Sequence, residues 1–269
     1  MLKITSTANE RIKFLKTLKT KKGREKSGTY LLEGKRAVTD AMMHGVKFEW
    51  ILAEQPENFP FLQTAESDRI IQVSRQIIEV LSDTLSPEGI LAQVRMHDTS
   101  FDKNKLSGLV VFLDQLQDAG NLGTIIRTAD AAGAGAVVLS PHCVEVFNPK
   151  TIRATMSSIF NIPIMCAADS IQALEAIKQK GYTVYAAALG GENVYTLEKK
   201  SPAQESCIII GNEGNGITES VLACADQKIA LPIRGGAESL NAGIAAGILI
   251  YHFTFEGDKT CQDIQNGRI

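Results

Sequence analysis

Between residues 109 and 233 the chain repeats one signal six times. LVVFL (109–113), AVVLS (136–140), IPIMCA (162–167), TVYAAAL (183–189), CIIIG (207–211) and KIALPI (228–233) are short, continuous apolar runs, separated mostly by helical segments. A strand with one wet face alternates polar and apolar residues. An unbroken run of this length needs both faces covered, as in a parallel sheet flanked by helices. The reading is an α/β domain with a parallel sheet, and ligands of such domains bind beyond the carboxyl ends of the strands. No internal repeat and no low-complexity segment interrupts it.

Residues 118–134, DAGNLGTIIRTADAAGA, follow the first run. At 100° per residue Leu122, Ile125, Ile126, Ala129 and Ala132 share one face, an ordinary core stripe. The opposite face carries Gly123, Thr124, Arg127 and Asp130, with few of the charges that solvate a helix; SIQALEAIKQK (170–180) shows the solvated kind in the same chain. Residues 239–250 form a second helix that is nearly all Ala, Gly, Ile and Leu. Helices apolar on so many faces suit a homodimer better than a monomer surface.

The N-terminal third reads differently. Thr7-Ala-Asn-Glu10 fits a capping box before a short basic helix carrying Ile12, Leu15 and Leu18, and KTKKGREKSG (19–28) reads as a loop. TYLLEG, KRAVTDAMMH, FEWILA, IIQVS, RQIIEVLS and GILAQVRM then alternate strand and helix in a small α/β unit ending near Met96. The polar, turn-rich stretch HDTSFDKNKLSG marks the boundary. The domains expected are therefore 1–97 and 109–269, with 98–108 as linker.

Charge separates the same two regions. Residues 1–36 hold eleven Lys or Arg against three Glu, a local charge of +8 that leaves −10 for the rest of a chain whose net charge is −2. A basic end on an acidic protein is the footprint expected for a polyanion, with a solvated basic helix as the plainer alternative. The candidate RNA contacts are Arg11, Lys19, Lys21, Lys22, Arg24, Lys35 and Arg36. No apolar run reaches the roughly 18 residues of a membrane span, and the N-terminus lacks the apolar core of a signal peptide, so a cytoplasmic protein is expected. Cys143, Cys166, Cys207, Cys224 and Cys261 are widely spaced with no CxxC pair, which points to reduced thiols and to no metal site.

Two nucleotide-binding patterns fail. Gly28 to Arg36 resembles a P-loop, but five residues separate its glycines and Arg36 stands where Ser or Thr must hold magnesium. The glycines at 133/135 and 211/214/216 do not form GxGxxG after a strand. What remains is three polar, glycine-containing segments, each at the carboxyl end of a predicted strand: LDQLQDAGNLGTIIRTADAAGA, IIIGNEGNGI (208–217) and IALPIRGGAESLNAGIAAGILIYHF (229–253). Taken singly, each glycine could shape a turn, Ser239 could cap a helix, and Arg127 and Glu213 could be solvated. Three such segments at equivalent ends of one sheet make a site.

N-x-G-x-x-x-R, then GNEG after an apolar strand, then LPI…SLNA resembles motifs one, two and three of the SpoU (TrmH) family, SPOUT-class RNA 2′-O-ribose methyltransferases that use S-adenosyl-L-methionine (AdoMet). The motifs span roughly 110–253. More loosely, STANERIKFLKTL and YLLEGKRAV resemble the small substrate-binding domain of rRNA-directed members. The resemblance implies a deep trefoil knot in the C-terminal domain and dimerisation through that domain. It implies an AdoMet pocket lined by Leu189, Gly190, Gly211, Leu231 and Leu240, and a methyl-transfer site built from Asn121, Arg127, Glu213, Ser239 and Asn241. Arg127 would grip a phosphate and polarise the ribose hydroxyl, with Glu213 and Asn121 orienting it. The function so implied is AdoMet-dependent ribose methylation, of 23S rRNA in the first instance. The alternatives are a tRNA-directed enzyme or a non-catalytic RNA-binding protein of the same fold, whose expected mark, loss of motif residues, is absent.

Overall fold

The computed structural model describes residues 2–64, 67–197 and 205–255. The chain forms two compact units. One runs through Asp98 and includes Glu145–Phe160; the other comprises Thr99–Val144 and the chain from Asn161 onward.

The first unit contains β1 (Leu2–Ile4), α1 (Glu10–Thr17), α2 (Lys21–Ser27), β2 (Thr29–Glu33), α3 (Lys35–Met43), β3 (Phe48–Ala53), β4 (Ile70–Val73), α4 (Arg75–Leu81) and β5 (Ile90–Arg95). Its sheet has the order β1-β4-β3-β5-β2, parallel in the β1/β4 and β3/β4 pairs and antiparallel in the β3/β5 and β2/β5 pairs. Ile12, Leu15 and Leu18, spaced by three, lie buried with Ile77 and Leu81 of α4 on Leu52, Ile71 and Leu91 of the sheet. The cap of α1 is Asn9, whose side chain accepts from the Arg11 N–H, in place of the expected Thr7.

The 19–28 segment is a helix and corrects the loop expectation. Thr20 caps its start by accepting from the Gly23 N–H at 3.1 Å, and Gly28, at φ 64°, closes its end by donating to the Arg24 carbonyl at 2.8 Å. Gly23 lowers intrinsic helicity, yet it is required: a Cβ there would collide with the backbone of Thr17, so only glycine lets the start of α2 turn this tightly off the end of α1. This geometry turns Arg24 inward. Its side chain is buried, donates to the Leu18 carbonyl at 2.7 Å and forms an ion pair with Glu145. Burial lowers the affinity of this guanidinium for its proton, opposed by the carboxylates of Asp83 and Glu25. The expected RNA contact at Arg24 is therefore corrected: the side chain is buried and both of its terminal nitrogens are bonded inside the unit.

The second unit contains β6 (Val110–Leu113), α5 (Ala119–Ala131) and β7 (Ala136–Leu139). After α6 (Pro149–Thr155), which belongs to the first unit, come β8 (Ile164–Cys166), α7 (Ser170–Gln179), β9 (Thr183–Asn193), β10 (Ser206–Ile210), α8 (Glu219–Leu222), β11 (Gln227–Ala230) and α9 (Ala242–Phe255). All five strand pairs of the order β11-β9-β10-β6-β7-β8 are parallel, and β6, β7 and β10 are buried along their whole length. Connectivity reverses between β6 and β10. That reversal opens the crevice in which open α/β sheets hold ligands. Helices α5 and α9 pack on each other, with Gly243 against Asn121 and Thr124 and Gly247 against Thr128. Among the described residues no helix is long and apolar enough to cross a membrane.

The buried Arg24–Glu145 pair generates a stability prediction. Arg24→Ala leaves a largely buried carboxylate without its partner and should cost about 3 kcal/mol. Lys22→Ala, on the exposed side of the same helix, should stay within about 0.5 kcal/mol. Chemical denaturation of the two variants measures the contrast.

Candidate active site

The carboxyl ends of β9, β10 and β11 open into a cleft of about 690 Å³. Ala187–Leu189 form one wall, the loop Gly211–Ile217 a second, and Leu231, Ile233 and the stretch Glu238–Ala242 a third. The second wall is a pinched loop. Asn212 and Gly216 exchange backbone hydrogen bonds of 2.9 and 3.0 Å, and the Asn212 side chain accepts from the N–H groups of Gly214 and Asn215. Gly211 lies so close to Gly216 that a Cβ would strike the Gly216 carbonyl and the Ile217 nitrogen. Leu189, Gly211, Leu231 and Leu240 all line this cleft, while Gly190, in a left-handed conformation at φ 75°, is not among its lining residues.

Three of the polar motif residues form one hydrogen-bonded chain. Asn241 caps α9 by accepting from the N–H groups of Gly243 (2.9 Å) and Ile244 (3.2 Å), and donates to Asn121 Oδ1 at 3.0 Å. Asn121 in turn donates to Glu213 Oε1 at 2.9 Å. Glu213 also accepts from the backbone N–H groups of Gln117 (3.2 Å) and Asp118 (3.1 Å). Burial by itself would raise the Glu213 carboxyl, but the bonds from Asn121 and from the backbone N–H groups, its own included, outweigh it and bring the group below the usual carboxylate range. A carboxylate beside the first N–H groups of α5 also faces the positive end of that helix. Asp118 completes the arrangement by capping α5 through the Asn121 N–H at 2.8 Å.

Ser239 lines the cleft two residues before the α9 cap. Arg127 lies elsewhere: six residues along α5 from Asn121, a rise of about 9 Å, it is exposed and does not line the cleft. Among the described residues it has no hydrogen-bond or ion-pair partner, which corrects the expectation that Glu213 and Asn121 orient it. Their contacts are with each other, with Asn241 and with the backbone. Asn212 and Asp118 were not singled out from the sequence, although an Asn opening a glycine-rich turn and an Asp three residues before Asn121 are both local signals.

The model of the SpoU rRNA Methylase family matches residues 108–251, a range that holds the cleft lining and Asn121, Arg127, Glu213, Ser239 and Asn241. The chain belongs to the SpoU rRNA methylase family. Its activity is thus RNA 2′-O-methyl transfer with AdoMet as donor. A second model, an MRM3-like substrate binding domain, matches residues 9–92. The chain is 36% identical over 254 residues to the 23S rRNA (guanosine(2553)-2′-O)-methyltransferase RlmP of Bacillus subtilis, covering 94% of this chain and 99% of that protein. It is 26% identical to a 23S rRNA (uridine(2479)-2′-O)-methyltransferase of Streptomyces viridochromogenes, with 85% and 83% covered. The crystal structure of an AdoMet-bound rRNA methyltransferase from Sinorhizobium meliloti superimposes with a TM-score of 0.83 at 30% identity, covering 93% of this chain and 96% of that one.

The cleft of this family member suits AdoMet. Its volume falls within the range of small-molecule sites, and its walls combine Leu and Ile side chains with small Ala and Gly residues and polar groups that include Asn212, Glu213, Glu238 and Ser239. Among the described residues no group of three or more His, Cys, Asp or Glu could hold a metal ion. Cys143, Cys166, Cys207 and Cys224 are free thiols; Cys261 lies outside the described residues.

Two predictions follow from this geometry. Because Glu213 is stabilised as the anion in the folded state, its contribution is present above the unfolded carboxyl pKa of about 4.3 and is lost as pH falls through the lowered folded value. Glu213→Gln should therefore melt below the parent at pH 7, the gap closing as pH drops below about 4 in a series of melts. Gly211→Ala, which forces a methyl group into the Gly216 backbone, should abolish AdoMet binding by calorimetry while the far-ultraviolet spectrum stays unchanged.

Proposed function

We propose that this family member methylates a ribose 2′-hydroxyl of 23S rRNA. The observation that carries the proposal is the cleft at the carboxyl ends of β9, β10 and β11, walled by the second and third polar segments and tied to the first through Glu213, Asn121 and Asn241. Relatives that cover most of this chain and act on 23S rRNA support the choice of substrate. The basic N-terminal unit supports it too, since Lys21, Lys22, Lys35 and Arg36 are exposed on its surface. Lys19 and Arg11 are more constrained: Lys19 pairs with Asp83 at 2.9 Å, and the Arg11 guanidinium lies 3.9 Å over the Trp50 ring. The cytoplasm is the proposed location.

AdoMet, when bound, supplies a methyl group on a sulfonium sulfur. The chain supplies position and a route for the proton. Leu189, Gly190, Gly211, Leu231 and Leu240 are assigned to the cofactor, and Ser239 to the edge of the cleft where the ribose enters. Glu213 is not the base: its carboxylate already accepts from Asn121 and two neighbouring backbone N–H groups, and a depressed pKa makes it a poor proton acceptor. Nor is Arg127, because guanidinium stays protonated. Arg127, with none of its donors committed among the described residues, is assigned to the target phosphate and the hydroxyl. The proton passes to a phosphate oxygen or another acceptor. Glu213, Asn121 and Asn241 hold the ends of α5 and α9 in register.

A homodimer belongs to the same proposal. Packing of α5 on α9 buries much of the small-residue surface, but Ile244, Tyr251 and Phe255 remain exposed along α9, with Tyr251 and Phe255 stacked at 5.2 Å. Ile244→Asp should shift sedimentation from dimer toward monomer; a monomeric parent at micromolar concentration would count against the assembly.

Arg127→Ala should abolish transfer of a radiolabelled methyl group to unmodified rRNA while leaving calorimetric AdoMet binding intact. Arg127→Lys should fail as well, since an ammonium cannot reproduce the planar fork. Full activity in Arg127→Ala would end the assignment.

A further inference from the structure

Asp114 is a buried carboxylate with no part in the chemistry described above. It follows β6 directly, is 1% exposed and does not line the cleft. One of its oxygens, Oδ2, accepts both the backbone N–H and the hydroxyl of Thr218, each at 2.8 Å. The other, Oδ1, is buried with no hydrogen-bond partner among the described residues. A buried carboxylate satisfied on one side is costly, because desolvation is only partly offset.

Thr218 incurs a second cost. It is the N-cap residue of α8, where a Thr hydroxyl ordinarily accepts from an N–H of the first turn, yet it makes no such bond. Its hydroxyl is turned to Asp114 instead. Two locally unfavourable choices thus meet at one contact, and the contact lies at the far end of the loop Gly211–Ile217 that walls the cleft.

The near end of that loop is held to the same segment. Asn212 Nδ2 donates to the Gln115 carbonyl at 2.8 Å. Gln115 takes a left-handed conformation, φ 54°, unusual for a residue with a side chain, while its N–H donates to Ser140 Oγ at 2.8 Å. Loop 211–217 is therefore clamped at both ends to residues 114 and 115, with Glu213 bound to residues 117, 118 and 121 between them.

We infer that Asp114 is a positioning residue for AdoMet: through Thr218 it fixes the outer end of the cofactor loop, and the chain retains the buried charge for affinity and not for stability. Local features that oppose folding concentrate where a site must be pre-shaped. The inference rests on the reading of the cleft as the AdoMet site. An aspartate gives stronger bonds to the Thr218 N–H and hydroxyl than a neutral amide of the same shape would.

The sign of two measurements separates this role from an ordinary structural one. Asp114→Asn retains an acceptor for Thr218 but removes the half-satisfied charge. AdoMet affinity by calorimetry should fall about ten-fold, as for one charge-assisted hydrogen bond weakened, while Tm stays level or rises. Thr218→Val should weaken AdoMet to a similar degree, and the double variant should be no weaker than the poorer single one, since both weaken the same contact. The KM for RNA, and kcat at saturating AdoMet, should stay within about two-fold of the parent. Unchanged AdoMet affinity in Asp114→Asn, additive losses in the double variant, or parallel falls in affinity and Tm in Asp114→Asn would each overturn the inference while the parent chain still binds AdoMet. A parent chain that fails to bind AdoMet would overturn the cofactor reading, and this inference with it.

Discussion

The Glu213 carboxylate is the point on which the second unit's functional end depends. A parallel sheet delivers all its strand–helix connections to one edge, so the segments after β6, β10 and β11 arrive there as separate loops, each with unsatisfied backbone groups. Glu213, from the segment after β10, accepts N–H groups at the start of α5, after β6, and receives the Asn121 amide. Asn121 then holds Asn241, which caps α9 after β11. Each amide uses its N–H group toward the carboxylate and its oxygen away from it, so the direction of the chain follows from one ionised group. Two asparagines and a glutamate thereby join three strand ends, and the orphan N–H groups of two helices supply the donors at either end.

That linkage needs the helices close together, and the small residues provide the room. A side chain at Gly243 would crowd the Asn241 amide oxygen and lie in contact with Asn121 and Thr124, and one at Gly247 would lie in contact with Thr128. The apolar, glycine-rich character of α5 and α9, which reads from the sequence as surface awaiting a second subunit, is in part the requirement of one helix for the other. Among the described residues the row Ile244, Tyr251 and Phe255 stays exposed along α9.

The parallel sheet was legible because its signal is strong and local: six apolar runs became β6 to β11, and the core stripe of α5 is buried as the helical period required. Positions that depend on one side chain reaching a distant backbone were not. Thr20 and Gly28 are standard helix ends, yet Gly23 and five cations across 19–26 disguised α2, and only contact with Thr17 explains that glycine. Arg24 carries the same charge as its neighbours and differs from them solely by facing inward. Asp114 looks like any acidic residue after a strand; its partner is 104 residues away. Ser239, Asn241, Glu213 and Asn121 were found as motif letters, whereas the order in which they bond is a property of the fold.

The two halves of the proposed reaction place opposite demands on side chains, and the structure divides them accordingly. A loop that shapes a small-molecule cleft works best when its own groups are satisfied, and Asn212, Glu213 and Thr218 are bonded within the unit. A group that grips a polyanion works best when its donors are unspent, because every intrachain ion pair must first be broken. Arg127 is exposed, with no such pair among the described residues, while Arg24, of identical chemistry, is buried and bonded to Leu18 and Glu145. Exposure alone would not distinguish a functional arginine from a solvated one. The proposed role rests on its setting, about 9 Å along from the hydrogen-bonded asparagine that ties the same helix to the cleft, while Asp130 of the same face accepts from Asn161.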